Sequence, residues 1–167
     1  MSFELSLYIV LVFFVPGVVV LGAVGLLNAD THAFLKSAMA QPSAGLGVLA
    51  LALSMGCGAL IDALRAVIID GLIDRVIKAS PPANYIALLD KERFPLFQYL
   101  HERTQEYYRF NANTTLALTF LIAAYLRVYA ADRMALGLFI LLLLLFRAAV
   151  NNRKATFWVL TQLTTRE

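Results

Sequence analysis

Apolar stretches too long for so short a chain to bury in a water-soluble core set the terms on which this protein folds. Mostly apolar, nearly uncharged residues fill positions 8–27, 45–64, 114–130 and 134–150. Each stretch carries about 17 to 20 residues, enough helix to cross a hydrocarbon core of roughly 30 Å. Lipid offers no partners to backbone N–H and C=O groups, so such segments cross as helices. The expected fold is all-α, a single four-helix transmembrane domain spanning residues 1–167. A mean hydropathy of +0.74 agrees with it. The remaining residues are too few for a second folded domain.

Charge sets the expected orientation. Lys and Arg number 14 against 11 Asp and Glu, a formal net charge of +3. Six of the basic residues lie between Arg75 and Arg109, and four between Arg147 and Arg166. The positive-inside bias puts the central segment and the C-terminus in the cytoplasm, and four crossings bring the N-terminus to the same side, as in a bacterial inner membrane. The basic balance then reflects topology and contact with anionic lipid, and no nucleic-acid partner is expected. A lone cysteine, Cys57, excludes an internal disulfide. The first stretch follows Met1–Ser6, which holds no basic residue, so it is expected to be retained rather than cleaved as a signal peptide.

Local signals refine the elements. Pro16-Gly17 predicts a bend inside the first span, because proline removes a helical hydrogen bond. Asp30, Thr31 and Ser43 are candidate helix caps in the connection 28–43, where Gln41-Pro42 breaks any helix. In the second span Ala52 with Gly56, and Ser54 with Gly58, put small residues at four-residue spacing, the pattern that lets membrane helices approach closely. They are the candidate face for a homo-oligomer. The same helix continues amphipathically to about residue 79 before Ser80-Pro81-Pro82 ends it. After Pro95 a second long helix starts, with no Gly or Pro up to Met134. These helices are expected to form an antiparallel hairpin, extended into the cytoplasm over about 65–110. In it Asp70, Asp74 and Arg75 face Arg103, Glu106 and Arg109, and Tyr107 and Tyr108 sit at the headgroup level. The last two spans, joined by Ala131-Asp132-Arg133, must be antiparallel, and Trp158 suits an interface.

Candidate chemistry is sparse. Ionisable groups at membrane depth are functional suspects. Asp62, Arg65, Asp70, Asp74, Arg103, Glu106 and Arg109 form an expected ion-pair network coupling the hairpin to the membrane. Asn111, Thr115 and Thr119 recur every four residues, a stripe suited to a helix interface or a pore lining. His101, Glu102 and Glu106 do not share a helix face, so no metal site or cofactor is expected. The aspartates lack the order of the Asp-Gly and Gly-led elements of CDP-alcohol phosphotransferases, and basic residues interleave them. The leading expectation is a non-enzymatic, self-associating membrane protein. It acts as a channel or membrane-perturbing effector controlled through its hairpin, by analogy in bacterial stress or antiviral defence. The alternatives are a scaffold anchoring a cytoplasmic partner at residues 79–109 and a lipid-modifying enzyme.

Overall fold

The computed structural model describes residues 10–40, 43–77, 94–129 and 131–165. Among them a π-helical turn, Val10–Phe14, runs into α1 (Val15–Leu27). Then come α2 (Ala29–Ala40), α3 (Ala44–Ile77), α4 (Phe94–Val128) and α5 (Arg133–Thr165). The chain is all-helical over the described residues, as its composition predicts. Three stretches are long and apolar enough to cross a membrane: Val10–Leu27, Gly45–Ile77 and Arg133–Thr161.

The crossing expected at 114–130 falls in α4, which does not reach that standard. Asn111, Asn113, Thr114, Thr115, Thr119 and Arg127 dilute its apolar content. Its position accounts for this. Residues 112–118 are buried without a break, which requires neighbours on every side, and α1, α3 and α5 supply them. A helix wrapped by others does not need an apolar surface of its own.

Pro16 has no N–H to give the Val12 carbonyl four residues back. The expected bend takes the form of the π-helical turn just before it, a local widening that absorbs the misfit. Next to it α1 and α3 touch backbone to backbone. A Cβ on Gly17 would lie 1.7 Å from the Ser54 carbonyl oxygen, and one on Gly58 1.9 Å from that of Phe13. Ser54 and Gly58 are therefore spent inside the chain. Ala52 and Gly56 point outward, and a Cβ on Gly56 would meet nothing within 4 Å. The candidate oligomer face thus divides in two, because its residues at 54 and 58 lie on a different side of the helix from those at 52 and 56.

The connection expected at 28–43 folds largely as α2. Its cap is Asn28, whose Oδ1 accepts from the Thr31 N–H at 2.9 Å and the Thr31 hydroxyl at 3.2 Å. Ser43 caps α3, accepting from the Leu46 N–H at 3.3 Å. Instead of a simple hairpin of α3 on α4, α1 packs on both. The two long helices meet in an apolar cluster where Ile61, Ile69 and Ile73 lie with Tyr108, Ala112 and Leu116, joined by Ala149 of α5. Residues 78–93, which include about half of the segment 79–109 expected to hold a partner, lie outside the described residues.

Candidate functional site

Charge and apolar packing meet where the four long elements converge. Successive turns of α3 carry Asp62, Arg65, Asp70 and Asp74 toward the bundle interior, in register with buried Ile61, Ile69 and Ile73. Arg65 reaches back to Asp62 (Nε to Oδ1, 3.2 Å) and forward to Asp70 (Nη1 to the two oxygens, 2.6 and 2.7 Å). Its residue is 7% exposed. From α4, Arg109 grips Asp62 with Nη2 to Oδ2 at 2.5 Å and Nε to Oδ1 at 3.3 Å. From α5, Arg153 grips Asp74 at 3.0 and 3.1 Å. Both are two-point guanidinium–carboxylate contacts, the strong geometry for such a pair. The network balances, with three aspartates against three arginines. That balance is what a low-dielectric site demands, since an uncompensated charge there is costly.

Two side chains join the ion pairs into one unit. Tyr108, fully buried, donates its hydroxyl to Asp70 Oδ1. Its ring lies 5.6 Å from the Arg65 guanidinium carbon and 5.1 Å from that of Arg153, which links the two pairs through cation–π contact. Asn113, also fully buried, donates from Nδ2 to Asp62 Oδ1 at 3.1 Å and to the Val12 carbonyl at 3.0 Å. That carbonyl is the one Pro16 leaves without its α-helical donor. The irregularity of α1 is thus closed by a side chain of α4. Arg109 lies over the Phe13 ring at 5.6 Å, against the same turn. Because both Nδ2 partners are acceptors, the amide orientation is settled, and Oδ1 is left without a hydrogen-bond partner among the described residues.

Of the residues singled out from sequence, Asp62, Arg65, Asp70, Asp74 and Arg109 are thus brought together. Their pairing differs from the expected one: Asp70 meets Arg65 and Tyr108, and Asp74 meets Arg153. Glu106 is exposed, one position along from the inward face that carries Tyr108 and Ala112. Arg103 lies on α4, with its side chain outside those described. The Asn111, Thr115 and Thr119 stripe does not act as a unit. Asn111 is half-buried, Thr115 buried and Thr119 exposed. Thr115 and Thr119 donate their hydroxyls to carbonyls of their own helix, at 2.7 and 2.9 Å. Asn113, two positions off that stripe, makes the contacts between helices.

Tyr108 and Arg153 are site residues to which the sequence assigns no place in the network, and Asn113 belongs to the polar cluster at 111–119 without being part of its four-residue stripe. Arg153 carried a legible signal: it lies in helical register with Ala149, Thr156 and Leu160, which form the buried face of α5. Tyr108 read as an interfacial aromatic. Comparison of the chain with protein-family models, curated proteins and solved structures finds no match, so the arrangement is read from its own chemistry.

Proposed function

We propose that this chain is a self-associating four-span membrane protein, working as a pore-forming or membrane-perturbing effector. The charged network holds it at rest, and it is released through its polar extension. One observation carries the reading: α3, α4 and α5 share a balanced set of ion pairs at one end of the apolar bundle, and Asn113 ties the turn that leads into α1 to the same set. From that network α1, α3, α4 and α5 each run about 15 to 20 residues in the same direction, roughly 23 to 30 Å at 1.5 Å per residue. That length suits a hydrocarbon core and favours α4 as the fourth crossing, shielded from lipid by its neighbours. Beyond the network the ends of α3, α4 and α5 extend on the side where basic residues concentrate, the cytoplasmic side by the positive-inside bias.

In this reading the network is a latch. Pulling α4 or α5 away from α3 separates Asp62 from Arg109 or Asp74 from Arg153, which opposes opening until a partner or signal at the extension compensates. Each aspartate is already neutralised by arginine, which weighs against a lipid-modifying enzyme that holds a cation on these carboxylates. One chain of four packed helices encloses no wide path, so conduction needs several copies. The outward faces of α3 (Leu49, Leu53, Leu60, Val67) and α5 (Leu136, Phe139, Leu143) offer apolar surface to lipid or to a second copy. The test is the mass of the intact protein in lipid nanodiscs. A discrete assembly of four or more copies is the expected result. A monomer or dimer contradicts the pore reading and leaves the scaffold reading in its place.

A further inference from the structure

The first 64 residues contain one Lys or Arg, and it is Lys36. It stands at the rim of a groove of about 510 Å³ between α1 and α2, which Gly22 and Gly25 line from α1 and His32, Leu35 and Met39 from α2. The volume falls within the range of roughly 300 to 1,000 Å³ common for small-molecule sites. The groove exists because α1 carries glycine where a side chain would fill it. A Cβ on Gly22 would meet nothing within 4 Å, whereas one on Gly25 would come 3.0 Å from the Leu35 Cδ1 atom. Gly25 thus lets α2 approach, and Gly22 leaves the floor open.

The walls are nearly all carbon, and the charged side chain among the lining residues is the Lys36 ammonium. None of the residues of α2 is buried, and Met39 is 82% exposed, a flexible thioether suited to an adaptable contact. Asn28 caps α2 at the end of α1, a candidate membrane span, so the groove opens beside lipid. Apolar walls under a single cationic rim complement one kind of ligand, a hydrocarbon chain with an anionic head.

We propose that this groove binds one acyl chain of an anionic phospholipid, with the phosphate held by Lys36 beside His32. The inference rests on the membrane reading of α1 and is independent of whether the protein conducts.

The test is native mass spectrometry of the full chain, released from membranes of mixed phosphatidylglycerol and phosphatidylcholine. Wild type is expected to retain one phosphatidylglycerol. Gly22→Leu, which fills the open floor without meeting another atom at Cβ, is expected to lose it. Lys36→Ala, at an exposed position that leaves the fold alone, is expected to reduce the preference for phosphatidylglycerol about fivefold. Unchanged retention in Gly22→Leu, or unchanged preference in Lys36→Ala, overturns the proposal. Soluble glycerol phosphate is expected not to displace the lipid. Displacement by it also overturns the proposal, since the site would then read the headgroup without the chain.

Discussion

A single carboxylate, Asp62, receives Arg65, Arg109 and Asn113 from two helices, which makes it the residue on which the network turns. Removing one partner of a fully buried pair typically costs about 3 to 5 kcal/mol. Asp62 and Arg109 are half-buried, so Asp62→Asn is expected to lower resistance to denaturation in lipid–detergent micelles by about 1 to 3 kcal/mol, while Glu106→Gln, at an exposed position, stays within about 0.5 kcal/mol. Equal effects of the two substitutions would contradict the buried network. A second carboxylate does a different task. Asp132 accepts from the Ala135 N–H at 2.9 Å, the Tyr125 hydroxyl at 2.8 Å and the Met134 N–H at 3.0 Å. These hydrogen bonds hold its carboxyl below the usual range, the Ala135 N–H foremost. A depressed carboxyl stabilises the fold above its unfolded pKa of about 3.9 and loses that contribution as pH falls through the folded value. Melting temperature is expected to drop on acidification below about pH 4, and to drop less in Asp132→Asn, which keeps a capping oxygen without the titration.

At the scale of elements, the contact between α1 and α3 is the least tolerant. Both Gly17 and Gly58 face a carbonyl oxygen where a Cβ would stand, so Gly17→Ala and Gly58→Ala must push two backbones apart. Overpacking of this kind commonly costs about 1 to 3 kcal/mol. Gly56→Ala meets open space, and is expected to leave stability unchanged or raise it slightly through helix propensity. Thermal melts of the three variants give the ranking, and a destabilised Gly56→Ala would contradict the assignment of faces. This division also selects the variant for self-association: Gly56→Leu alters the outward face alone, whereas Gly58→Leu would break the fold first. The sequence showed that small residues at 52, 54, 56 and 58 favour close packing, but not which pair faces a neighbour, because that depends on where α1 lies. The helices themselves were legible, since their apolar length needs no tertiary information. The centrality of α4 was not: Asn113 reads as one polar residue among several until Val12, 101 positions earlier in the chain, supplies the carbonyl it serves, one that Pro16 leaves without its α-helical donor. Arg153 was obscured in the same way, its aspartate being 79 positions away.

Over the described residues, the helices expose many large apolar side chains while half-buried ion pairs form a charge ladder between α3, α4 and α5. Such a ladder adds little to stability compared with well-packed apolar residues. In the function proposed above, its role is to hold one arrangement and to release it. A latch reveals itself when the ladder is cut. The most direct measurement is ion conductance of the purified protein in planar lipid bilayers, with wild type and Asp62→Asn compared at equal amounts of inserted protein. A latch gives low, infrequent conductance for wild type and a marked rise in open time for Asp62→Asn, with Glu106→Gln behaving as wild type. Silence from wild type and Asp62→Asn alike, with both inserted and folded, would contradict it.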